Sequence, residues 1–178
     1  MNQRNCLNKT ELKECMRIVW LQHVYWTRLL LISIAERLPD QDETAARLLR
    51  NPKDIACIFA KYFPRDCVNE VERLLTEHLQ IGAELITALR DKNPKADELD
   101  KSWYINAEKM ATALHCMSPC YDFCEWKKML FMHLDLTKKE VAARLAKQYK
   151  QDIEAFAAVE KEAIRMADML TCGIVKCC

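Results

Sequence analysis

From Lys9 to Leu38 the chain runs for 30 residues without a glycine or a proline. A stretch of that length with no breaker and no turn residue reads as one long helix. Its apolar residues point all round rather than along one stripe, which places it in the middle of a bundle and covered on most sides. The rest of the chain agrees. Two glycines, Gly82 and Gly173, and five prolines in 178 residues leave almost none of the turn chemistry that hairpins, dinucleotide loops and phosphate loops require. The predicted fold class is all-α, with a single helical-bundle domain over 1–178. That length is enough for a core needing no disulfide or metal staple.

Turn signals divide this bundle. Asn8 or Thr10 caps the first helix and Leu38-Pro39-Asp40 stops it. A short helix follows over about 42–50. Asn51-Pro52 has the form of an N-cap with proline at the first helical position, opening a helix that ends near Tyr62. The next runs from Asp66 or Asn69 to about Leu89, and another from about Lys95 to Met117. Helical periodicity resumes from Tyr121 to Leu134. Thr137-Lys-Lys-Glu140 then has the pattern of a capping box, which favours a break or bend near Asp135, although the same tetrad fits inside one continuous helix. The last helix should reach about Thr171 and leave a flexible tail over about 172–178. The count is four long helices plus shorter ones.

Within this layout Asn51 to Leu79 aligns without a gap on Asn106 to Leu134. The match gives seven identities in 29 positions, among them Asn51/Asn106, Pro64/Pro119, Leu75/Leu130 and His78/His133. An internal helix-pair repeat with pseudo-twofold packing is predicted.

Several function classes are disfavoured. Formal charge is +1 with acids and bases interleaved, so no basic face invites nucleic acid and no polybasic run invites a membrane surface. The apolar run Ile18 to Ala35 contains Gln22, His23, Arg28 and Ser33, and Glu11 and Glu14 precede it; it reads as a buried helix of a soluble protein. Ten cysteines spread along helical segments read as reduced thiols of a cytoplasmic protein. Cys116, Cys120 and Cys124, with His115, are spaced as a thiolate stripe for a soft metal. Pro119 interrupts that stripe and no C-x-x-C accompanies it, so small buried hydrophobes and surface thiols are the expectation. No Gly-x-Ser-x-Gly elbow is present, and no enzyme class is indicated.

The histidines offer the candidate site. His78 shares a helix face with Val71, Leu74, Leu75, Gly82 and Leu85, and His133 with Trp126, Met129, Leu130 and Thr137. His23 falls with Val19, Trp20, Trp26, Thr27 and Leu30. Three imidazoles thus enter the core from three helices. On the last helix a stripe through Ile153, Phe156, Glu160 and Ile164 brings Asp152 and Glu160 to the apolar face. A buried carboxylate there needs a cation, a donor or a metal, and Arg28 faces the same requirement. The predicted site is His23, His78, His133, Glu160 and Asp152 around a transition-metal ion or small ligand, with Arg28 and Tyr149 behind them. The Glu-x-x-His pair of di-iron carboxylate bundles is absent. A structural or interaction bundle, forming a homodimer or docking on a partner through an exposed apolar stripe and with purely structural histidines, is a second class that the sequence allows, and a small enzyme, which needs a pocket reaching the polar core from solvent, is a third.

The motifs His23-Val-Tyr-Trp-Thr-Arg28, Ala46-Arg-Leu-Leu-Arg-Asn-Pro-Lys-Asp54, His133-Leu-Asp-Leu-Thr-Lys-Lys-Glu140 and Tyr149-Lys-Gln-Asp-Ile153 resemble a family of small, uncharacterised proteins from Gram-positive bacteria. The resemblance covers nearly the whole chain and implies an all-helical fold. Members sometimes carry the name acetylglutamate kinase. Amino-acid kinases of that class are larger α/β proteins with glycine-rich phosphate loops, so that activity is not expected of a chain with two glycines.

Overall fold

A computed structural model describes residues 7–177. Among them the chain forms seven helices and no strand: α1 (Lys9–Glu36), α2 (Gln41–Leu49), α3 (Asn51–Phe59), α4 (Arg65–Arg90), α5 (Ala96–Met117), α6 (Phe123–Leu145) and α7 (Tyr149–Cys177). The all-α, single-domain expectation holds. Asn8 closes a full capping box with Glu11 at the start of α1, and Arg37 ends that helix in the left-handed region at φ 54°. Asp122 caps α6 by accepting from the Glu125 amide.

The helices close into a ring. α4 lies along α5, α5 against α6, α6 against α7, and α7 back against α1, while α3 bridges α1 and α4. α1 also touches α4 and α6, so the inner faces of these three helices meet at the centre.

Three boundaries differ from the sequence reading. α6 runs unbroken through Asp135, because Thr137 sits mid-helix and turns its hydroxyl onto the His133 carbonyl instead of capping a new start. The break falls at Lys147, which takes φ 58°, so the bundle has five long helices rather than four. α7 continues to Cys177 where a flexible tail was expected, and Cys120 is disulfide-bonded to Cys177, which ties the end of α7 to the α5–α6 connection. This corrects the reading of all cysteines as reduced thiols, although Cys15, Cys57, Cys67, Cys116, Cys124 and Cys172 are free. Cys6 and Cys178 lie outside the described residues. The close approach that makes this end possible belongs to Gly173, where an added Cβ would stand 2.0 Å from the Tyr121 ring.

The core has a polar layer across it. The larger apolar cluster includes Trp20, Leu75 and Leu130, and a smaller one includes Leu30, Leu48, Leu79 and Ile86. Between them lie His23, His78 and His133, each 5% exposed or less. By length and composition α1 is the one described helix apolar enough to cross a membrane, and 44% of its most apolar window is buried in the fold.

Candidate functional site: a layer of three imidazoles

His23, His78 and His133 come from the inner faces of α1, α4 and α6 and line one chamber of about 20 Å³ with Thr27, Gly82 and Thr137, the residues one turn further along each helix. The His23 and His133 rings have centroids 5.9 Å apart. Trp103 stacks on His78 at 5.2 Å and donates its indole N–H to the His78 carbonyl at 3.0 Å, and Trp20 leans on His23 at 5.5 Å.

Each ring is held from outside through Nδ1. His23 Nδ1 lies 3.2 Å from Asn51 Oδ1, and Asn51 Nδ2 donates to the Val19 carbonyl at 2.8 Å. The amide donation to a carbonyl fixes which end of Asn51 faces the ring. An oxygen there can only accept, so Nδ1 carries the proton and Nε2 is left as the bare nitrogen. His78 repeats the pattern with Asn106 Oδ1 at 3.1 Å and Asn106 Nδ2 on the Leu74 carbonyl at 3.2 Å. In both cases the carbonyl belongs to the residue four before the histidine. His133 uses a carboxylate in the same role, with Nδ1 3.2 Å from Glu162 Oε2.

Electrostatics keep His23 and His78 neutral. Burial pushes the His23 imidazole down to about 3, the nearby His133 ring adds to the effect, and the Asn51 bond opposes it. Burial also holds His78 well below the usual histidine range, with His133 and His23 contributing next. Two buried polar atoms have no hydrogen-bond partner among the described residues near this layer: Trp20 Nε1 and Glu162 Oε1.

The structure brings together the three predicted histidines and sends the other site residues elsewhere. Glu160 is not beside them. It is half-buried at the outer α1–α7 seam, where Tyr25 donates its hydroxyl to it. Asp152 is fully buried, but it accepts from Arg28 at 2.7 Å, and Arg28 also donates to Glu140 at 2.6 Å. Arg144 approaches Asp152 at 3.5 Å and Glu36 at 3.0 Å. Arg28 and Asp152 therefore belong to a closed ionic cluster. Tyr149 is 46% exposed with the Arg144 guanidinium over its ring at 5.1 Å. The physical reason is the break at Lys147: α7 starts with a new phase, and its buried face runs through Asp152, Val159, Glu162, Ala163 and Met166 rather than through Ile153 and Glu160.

Asn51, Asn106 and Glu162 were not singled out as site residues by sequence reasoning. Asn51 has no capping hydrogen bond; its side chain is spent on the histidine. The usable signal is spacing. His23, His78 and His133 stand 55 residues apart in succession, and each asparagine follows its histidine by 28. Among the described residues no three His, Cys, Asp or Glu groups are arranged to hold a metal ion as they stand. No family model, curated protein or solved structure matches the chain.

Proposed function

We propose that this protein is a binding bundle whose ligand is a single ion, taken up by the imidazole layer. The supporting observation is that three rings from three helices face one chamber while their Nδ1 atoms are occupied by Asn51, Asn106 and Glu162. That leaves the three Nε2 atoms as the available donors. An outer partner that fixes the tautomer of a histidine is the support that metal-ligating histidines use. The chamber's volume of about 20 Å³ selects the class of ligand: it suits one water or one ion and excludes an organic molecule. Nitrogen donors favour zinc, copper, nickel or iron over magnesium or calcium. Glu162, 3% exposed and with Oε1 unpaired, would supply negative charge beside the cation. Closure on the ion requires the rings to draw in from their present positions.

A second reading treats the layer as a hydrogen-bonded register device with no ligand, and the absence of a ready metal-holding group among the described residues favours it. The two readings separate by elemental analysis of tag-free protein purified without added metal or chelator, beside His78→Ala and His133→Ala. Near-stoichiometric metal that is lost in both variants supports the ion site. Folded wild-type protein that neither carries nor takes up one equivalent of added Zn²⁺ or Co²⁺ leaves the register device.

A further inference from the structure

Six of the ten cysteines fall in two short stretches, 116–124 and 172–178, and these are the stretches that the Cys120–Cys177 bond joins. Cys177 is exposed and Cys120 half-buried, so the bond is open to a reagent in solution. Cys116, Cys124 and Cys172, in the same stretches, are free and exposed. A permanent staple is badly placed among exposed thiols, because a thiolate attacks a disulfide sulfur and displaces its partner. A core of this size does not need such a staple.

The packed part of α7 ends before the bond. Leu170 and Ile174 are each 1% exposed, and Tyr121 fills the space over Gly173 and donates its hydroxyl to the Leu170 carbonyl at 2.9 Å. Val175, Lys176 and Cys177, beyond them, are exposed. The disulfide therefore holds the last turn of α7 past the point where burial in the core holds it.

We propose that Cys120–Cys177 is a thiol–disulfide exchange site for low-molecular-weight thiols of the glutathione class, and that its reduction releases the last turn of α7. The thiolate of the incoming reagent attacks Cys177 Sγ, the better exposed sulfur. The bond to Cys120 breaks, and Cys120 leaves as a thiolate that takes a proton from water. A second reagent thiolate then attacks the reagent sulfur of the mixed disulfide, forming the oxidised reagent and releasing Cys177 as a thiol. Two reagent thiols become one disulfide, and the protein bond takes up two electrons and two protons. Tyr121, next to Cys120 in the chain, stays packed on Gly173 after reduction, which keeps the two thiols within reach of each other. Oxidised reagent then re-forms the bond by the reverse steps. None of these residues lines the imidazole chamber, so the test stands apart from the ion site.

The experiment treats the folded full chain with reduced glutathione, traps thiols with iodoacetamide for mapping by mass spectrometry, and follows amide hydrogen exchange along α7. The expected result is that Cys120 and Cys177 become alkylated only after glutathione, and that oxidised glutathione restores the bond. Circular dichroism stays unchanged, and amides 174–177 exchange about tenfold or more faster in the reduced protein, as for a helix end set free to fray. Cys177→Ser shows the fast exchange without reductant, and Cys178→Ser behaves as wild type. A bond that resists glutathione until the chain is denatured overturns the proposal. So does a reduction that melts the helices, which would make the bond a structural staple, or one that leaves exchange at the end of α7 unchanged.

Discussion

Two buried polar regions lie within two helical turns of each other and solve the same problem in opposite ways. Around Arg28 the chain buries charge and closes it: Glu140 and Asp152 accept from the guanidinium, and Arg144 and Glu36 extend the cluster outward. Around His23, His78 and His133 it buries three imidazoles, with one nitrogen of each ring hydrogen-bonded and the other making no hydrogen bond to the protein. Carboxylates already engaged by Arg28 have little left to offer a ligand. A layer held through Nδ1 keeps its Nε2 atoms clear of protein hydrogen bonds, and this is the physical basis for assigning binding to the histidines rather than to the carboxylates.

The sharpest way to break this contrast is pH. His23 folds with its pKa near 3 against an ordinary 6.5, so its contribution to stability is complete above 6.5 and is lost as pH falls toward 3. The loss should be on the order of 5 kcal/mol across that window. Glu140, raised by burial to about 7 against 4.5 despite the pull of Arg28, runs the other way: its contribution is complete below 4.5 and is lost as pH rises through 7. Urea unfolding at a series of pH values should show both limbs. His23→Gln should flatten the lower limb and Glu140→Gln the upper. A lower limb unchanged in His23→Gln would mean that the imidazole layer is not held neutral.

Breaking the ionic cluster comes next. Arg28→Met leaves Glu140 and Asp152, each 2% exposed or less, without their main partner and should cost about 3–5 kcal/mol. A cost below about 1 kcal/mol would show that Arg144 alone can neutralise the acids. Smaller effects are expected at the outer supports of the rings. Asn51→Ala and Asn106→Ala should each destabilise by about 1–3 kcal/mol, since each strands a buried ring N–H. The two losses should agree within about 1 kcal/mol if the two holders are equivalent, and thermal or chemical denaturation reads the difference directly.

Much of this was legible in the chain. The scarcity of glycine and the periodicity of Val71, Leu75, His78 and Leu85 sufficed for the fold class and for three inward histidines. What the sequence hid has physical causes. Thr137-Lys-Lys-Glu140 has the composition of a helix start, yet a threonine inside a helix can satisfy its hydroxyl on the carbonyl four residues back, as Thr137 does. The phase of α7 was misread because Ile153 is apolar but 61% exposed and Phe156 and Ile164 are half-buried at the edge of the core, so the stripe through them was mistaken for its centre and Glu160 was selected in place of Glu162. Asn51 looked like a cap because Asn-Pro is a common helix start, and helix-start chemistry cannot reveal that the side chain reaches across to α1.

The most direct test of the central claim is long-range ¹H–¹⁵N NMR of the histidine rings during titration with Zn²⁺. The account predicts that His23, His78 and His133 are Nδ1–H tautomers with bare Nε2 at neutral pH, and that all three Nε2 signals shift together and saturate at one equivalent. Protonated Nε2 atoms, or rings that ignore the ion while exposed His115 responds, would contradict it.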